Sequence, residues 1–162
     1  MGWPITLTKN ERFTQQYSYF SNMKVFVFGN GNLSFDDFLK YYTNPLIPFL
    51  QKEDVHFILC DFRGVDTLMM EFLKCQTSHV TVYHIGEKPR YAPDKFNTRV
   101  GTWNFIGGFN SDKERDLQAM NECTHFLAYD FNSDSKRKSG TATNIELCHE
   151  RNKTFLGNSD LL

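Results

Sequence analysis

The chain has 162 residues, 40% of them hydrophobic and 23% charged, which fits one globular domain with a real core and argues against wholesale disorder. Eighteen Lys and Arg against 19 Asp and Glu leave a net charge of -1, so a protein that coats nucleic acid by phosphate attraction is not expected. No run of about 18 apolar residues exists, and no membrane span is expected either.

Sixteen phenylalanines point to a tightly filled core. Cys60, Cys75, Cys123 and Cys148 lie far apart, with no C-x-x-C pair and no zinc-type spacing to the five histidines. Free thiols in a reducing, cytoplasmic setting are expected, with no metal and no cofactor called for. The opening Met1-Gly2-Trp3-Pro4-Ile5-Thr6 has no basic region followed by an apolar run, so no secretory signal is expected.

Residues 1–22 are polar with scattered aromatics and no clear period, and are read as an N-terminal extension. Residues 23–162 are read as a single domain. Val25-Phe26-Val27-Phe28 is apolar on both faces, the mark of a buried parallel strand, and it ends at Gly29-Asn30-Gly31-Asn32. Ser34, with Asp37 three residues on, caps a helix whose stripe is Phe35, Phe38 and Leu39. Pro45 and Pro48 interrupt it before a short second helical piece.

A second apolar run, 55–60, ends at Asp61-Phe62-Arg63-Gly64. Val65, Leu68, Met69, Phe72 and Leu73 then share one helical face. A third strand is expected at 80–85. Residues 86–110, with two prolines and four glycines, read as the longest irregular stretch, a lid or a substrate loop. A helix capped by Ser111 or Asp112 should run to about residue 122, with a fourth strand at 126–129. A polar loop covers 130–139, Gly140-Thr141 opens the last helix, and 154–156 is a short fifth strand. Strands alternating with helices predict an α/β, three-layer domain on a mostly parallel sheet of about five strands. Ligands of such sheets bind at the carboxyl ends of the strands, near the switch in strand order. That singles out loops 29–34, 61–66 and 130–141.

Each loop carries chemistry and a structural alternative. Gly29, Asn30, Gly31 and Asn32 form a backbone cradle for phosphate or a plain tight turn. Arg63 offers planar donors to phosphate or carboxylate, and Gly64 permits a sharp turn. Asp66 accepts ribose hydroxyls or caps the helix. Ser139, Gly140 and Thr141 place amides, a hydroxyl and a helix dipole together, which suits an anion. Lys136, Arg137 and Lys138 beside them strengthen that field or face solvent. The five histidines lie in or beside apolar runs and read as satisfied, partly buried side chains.

Taken in order, the glycine loop, Arg63-Gly64-Val65-Asp66-Thr67-Leu68, Arg115-Asp116-Leu117-Gln118-Ala119-Met120 and Gly140-Thr141 resemble the SLOG superfamily of Rossmann-like nucleotide-binding domains. That group is similar to the lysine-decarboxylase-like nucleotide phosphoribohydrolases, the DNA-processing protein DprA and, more distantly, the nucleoside deoxyribosyltransferases. The resemblance covers roughly residues 23–156. It implies a Rossmann-like fold and a pocket for a nucleotide, nucleoside or ADP-ribose-like molecule. Arg63, Gly64, Asp66, Ser139, Gly140 and Thr141 would line it, with Arg115 as a phosphate partner. It also implies a homodimer as an assembly to look for.

Cleavage of an N-glycosidic bond needs a carboxylate to stabilise or trap the charged sugar. By that resemblance the paired glutamates of the enzymatic branches fall at Thr143 and Asn144 here, and Glu146 lies about 200° around the helix from Asn144. Asp61 and Asp130, at strand ends, are the other candidates for acid, base or ribose ligand. Binding, as a sensor or carrier domain, therefore ranks above an N-glycosidase or deoxyribosyltransferase-like activity. The third reading is a protein-interaction module with a vestigial pocket.

Overall fold

The structure, a computed structural model, describes residues 22–158 and 160; the extension read at 1–22 lies outside the described residues apart from Asn22. Among the described residues six strands form one sheet: β1 (Met23–Val27), β2 (Val55–Cys60), β3 (Val80–Ile85), β4 (Asn104–Phe109), β5 (His125–Leu127) and β6 (Thr154–Phe155). Their order is β4-β3-β2-β1-β5-β6, and every neighbouring pair is parallel. This is a Rossmann-like α/β architecture.

The sheet thus has one strand more than expected. The addition is β4, which falls in the 86–110 stretch read as irregular and follows a 3-10 turn at Val100–Thr102. Among the described residues it is an edge strand paired on one side only, and four of its six residues are exposed. It therefore carries no apolar run of the kind a buried strand needs.

Alternation along the buried strands sends side chains to two separate cores. Val25, Val27, Phe57, Leu59, Val80 and Val82 face one way, toward two helical segments. The first, α1, starts as an α-helix at Phe35–Phe38, passes through a π-helical turn at Leu39–Thr43 and resumes at Asn44–Leu46. The second, α2, spans Val65–Leu73. Phe26, Phe28, Ile58, Cys60 and Phe126 face the other way, with residues of α3 (Asp112–Glu122) and α4 (Gly140–Glu150). Helices on both faces complete the three layers.

Ser34 caps α1 as expected, its Oγ accepting from the Asp37 amide at 3.1 Å. Of the stripe Phe35, Phe38 and Leu39, only Phe38 is buried. The wider π turn changes the helix phase, and in that turn Tyr42 is fully buried. Its hydroxyl donates to the Phe28 carbonyl and accepts from the Tyr129 amide, both at 3.0 Å. It thereby ties together the chain just beyond β1 and β5.

Candidate functional site

From β1 the chain steps outward through β2, β3 and β4, then crosses back to β5 on the other side of β1. Connections on either side of β1 leave in opposite directions, and a crevice opens at the carboxyl ends there. A cavity of about 740 Å³ occupies it, within the range of small-molecule sites. Its walls are the loop after β1, the β2–α2 turn, the start of α3, and the 132–144 segment leading into α4.

The structure brings most of the sequence candidates into this cavity. Gly29, Asn30, Gly31 and Asn32 line one wall, Arg63 and Asp66 a second, and Arg115 a third. Ser139, Gly140, Thr141 and Asn144 line the fourth. Four candidates are not among the lining residues: Asp61, Gly64, Asp130 and Glu146.

Three of the glycines are needed by the protein itself. A Cβ on Gly29 would collide with the Tyr42 hydroxyl and come within 2.7 Å of Val65 Cγ2. On Gly31 it would lie 2.9 Å from the Phe62 ring. Gly64 has φ +81 and ψ −120, and a Cβ there would fall within 2.6 Å of the Gly31 backbone. The loops after β1 and β2 therefore pack backbone against backbone, and the Val65 amide donates to the Asn30 carbonyl at 3.3 Å. Gly140 differs, because a Cβ there meets nothing within 4 Å. The protein gives no packing reason for glycine at the first position of α4, where it lines the cavity. Gly140→Ala should leave thermal stability unchanged or up to about 0.5 kcal/mol higher. The same change should weaken any ligand seated on the α4 amides; thermal unfolding with and without ligand reads both effects.

Asn30 joins the walls. Its Nδ2 donates to Asp130 Oδ1 and Thr141 Oγ1, both at 3.2 Å, and its Oδ1 accepts from the Phe131 amide at 2.7 Å. Asp130 also accepts from the Ser139 hydroxyl at 2.6 Å and from the amides of Asn132 and Ser133. Burial pushes this carboxyl up, but Ser133, Ser139, Asn132 and Asn30 outweigh it and bring it down to about 2. Asp130 thus shapes the 130–139 loop as a fixed anion.

Asp61, at the end of β2, is equally committed. Arg90 gives it a backbone amide at 3.0 Å, Nε at 3.2 Å and Nη2 at 3.1 Å, and Arg115 Nη1 adds a bond at 2.8 Å. Burial raises its pKa, yet the two arginines outweigh that and the net shift is downward. Arg115, itself 3% exposed, also bonds Asp116 through Nε and Nη2 and pairs with Asp112 at 2.9 Å. Asn144 Nδ2 completes the network on Asp116 Oδ2 at 2.9 Å. Glu146 is 58% exposed at its side chain and pairs with Lys138.

Asp66 stands apart. Oδ2 accepts from the Phe62 amide at 3.0 Å, and no cation bonds this carboxyl among the described residues. Burial drives its pKa up to about 7, helped by Asp116 and Asp61 and opposed by Arg115 and the Phe62 amide.

Sequence reasoning missed Arg90, which sits in the stretch read as irregular, and Lys113. Lys113 lies in the first turn of α3, where a cation opposes the helix dipole, and that misfit was the available signal. Arg63, Lys113 and Arg137 line the cavity from three different segments. Among the described residues none of the three side chains has a carboxylate partner; Arg63 lies over the Phe62 ring at 5.7 Å. Phe28, Cys60, Leu117, Met120 and Leu147 supply an apolar lining. No group of three or more His, Cys, Asp or Glu residues suited to a metal ion occurs among the described residues. No described helix is long and apolar enough to cross a membrane.

No family model matches the chain, and neither a curated protein nor a solved structure matches it.

Proposed function

We propose that this cleft binds a nucleotide-type ligand, a nucleoside phosphate or an ADP-ribose-like molecule, and that the domain serves as a sensor or carrier of it. One observation carries the reading: three cations without carboxylate partners among the described residues, Arg63, Lys113 and Arg137, surround a cleft of mixed polar and apolar lining at the switch in strand order. Guanidinium groups suit phosphate oxygens, and apolar walls suit a base. The resemblance to SLOG domains belongs to the same reading.

The contacts of Asp61, Asp130 and Glu146, the three carboxylates expected as catalytic candidates, favour binding over turnover. Asp61 and Asp130 spend their oxygens on protein donors, and Glu146 faces Lys138. A carboxylate so engaged is a poor base and a poor nucleophile.

The test is a thermal-shift and calorimetric series with nucleosides, nucleoside phosphates and ADP-ribose, each mixture then run on chromatography. A ligand at about 100 times its Kd adds about 2.7 kcal/mol, a rise of several degrees. Arg63→Ala and Arg137→Ala should each weaken ADP-ribose about tenfold or more without lowering the unliganded melting temperature. Ligand recovered intact supports a sensor or carrier. A released base or sugar phosphate would overturn that reading in favour of glycosidic-bond chemistry.

A further inference from the structure

Two cations face four acids at the mouth of β2. Arg90 and Arg115 between them pair with Asp61, Asp112 and Asp116. Asp66 is the acid left over. It is 4% exposed and receives one backbone amide on Oδ2. Its other oxygen has no hydrogen-bond partner among the described residues. Every fully buried polar side-chain atom described has a partner, so this oxygen must open onto the cleft that Asp66 lines.

The surroundings give an ionised Asp66 little help. Tyr42 of α1 lies on one side with its phenol pushed up by burial. Cys60 and Asp61 approach from the end of β2, the thiol also pushed up by burial. Arg115 and Asp116 approach from α3, and the guanidinium is already shared among three carboxylates. A buried acid with one amide donor, two acidic neighbours and no cation of its own holds its proton well above the usual carboxylate range, up to about neutral pH.

We infer that Asp66 presents a neutral carboxyl to the cleft and donates its proton in a hydrogen bond to an acceptor oxygen or nitrogen of the bound nucleotide. This rests on the nucleotide-binding reading and assigns a polarity to it. Affinity then requires one proton on the protein. An ionised Asp66 accepting from ribose hydroxyls would give the opposite pH slope.

ADP-ribose is the probe, because its pyrophosphate diester has no group titrating near neutrality, and no histidine lines the cleft. With the carboxyl titrating at about 7, ADP-ribose should bind about thirtyfold more weakly at pH 8.5 than in the fully protonated limit. Asp66→Asn supplies a permanent donor, and its ADP-ribose affinity should be flat from pH 6 to 8.5. Asp66→Ala should bind weakly throughout. Calorimetry in buffers of different ionisation enthalpy should show net proton uptake on binding at pH 8 in the wild type and none in Asp66→Asn.

A second measurement needs no ligand. The folded pKa lies above the unfolded one, so the wild type loses stability as pH rises from about 4 to 7 and no further above that. The melting temperature of Asp66→Asn should therefore gain on the wild type across that window. Equal pH profiles for the two proteins would overturn the neutral carboxyl. ADP-ribose affinity that is flat or rising with pH in the wild type would overturn the donor role while leaving nucleotide binding in place. No binding of ADP-ribose or any nucleoside phosphate at pH 6 would overturn both.

Discussion

Arg115→Met should cost about 3–5 kcal/mol at neutral pH, a large part of the 5–15 kcal/mol that holds a domain of this kind together. The size follows from what Arg115 leaves behind. Its side chain is 97% buried and its guanidinium bonds Asp61, Asp112 and Asp116. Without it one arginine would face four carboxylates, and Asp61, whose side chain has no exposure, would keep only Arg90. Methionine fills much of the volume, so the loss reports charge rather than a cavity. The pH dependence separates the two causes. Asp61 has a depressed folded pKa, so its contribution is present above about 4 and fades as pH falls through the folded value. The gap between wild type and variant should narrow below pH 4. Urea unfolding at pH 7.5 and pH 3.5 measures it. Asp112→Asn, at a side chain 55% exposed, should change stability by no more than about 0.5 kcal/mol. A loss under about 1 kcal/mol for Arg115→Met would mean that the acids at this site are not held by charge.

Gly64→Ala should be nearly as damaging, at about 3 kcal/mol or more, and should abolish ligand binding as well. Two costs add. At φ +81 and ψ −120 an L-residue is strained by about 1–3 kcal/mol. The new methyl would also strike the Asn30 carbonyl and the Gly31 backbone. Backbone atoms cannot turn aside as a flexible side chain can, so the loop after β1 must move, taking with it the Asn30 hydrogen bonds that join three walls of the cleft. Gly86→Ala separates the two terms: φ is +66 there, but nothing lies within 4 Å. That change should cost about 1 kcal/mol. Chemical denaturation of both variants gives the comparison, and equal losses would show that close packing of the two loops contributes nothing.

The strands that read clearly in the sequence are those buried on both faces. Val25-Phe26-Val27-Phe28 and the 55–60 run fill two cores at once, so apolar residues follow one another without a break. Among the described residues Asn104–Phe109 pairs along one edge only, and it includes Gly107 and Gly108; its strand character comes from β3 alongside it, which no local pattern records. The candidate loops were legible because strand ends in an open α/β sheet converge by topology. The roles within them were less so. Asp61 and Asp130 look like free acids at strand ends, but their partners Arg90, Arg115 and Asn30 are 29, 54 and 100 residues away. The two glycines after β1, Gly29 and Gly31, suggest room for phosphate, yet they make room for Tyr42, Val65 and Phe62. Spacing along a chain tells which backbone approaches something closely, and only the fold tells what that something is.

The sheet order also sets when the cleft comes into being. Its first wall, residues 29–32, and its second, residues 62–66, are in place once β1, β2 and α2 have assembled. The remaining walls belong to residues 112–120 and 132–147, which join only after the chain has laid down β3 and β4 and crossed back to the far side of β1. During synthesis from the amino end, the residues of two walls are therefore made about fifty to eighty residues before those of the other two, and the carboxylate of Asp61 before Arg90 and Arg115. A molecule held by all four walls can recognise only the finished product. A truncated chain ending before residue 140 would carry the first two loops without the rest of the cleft.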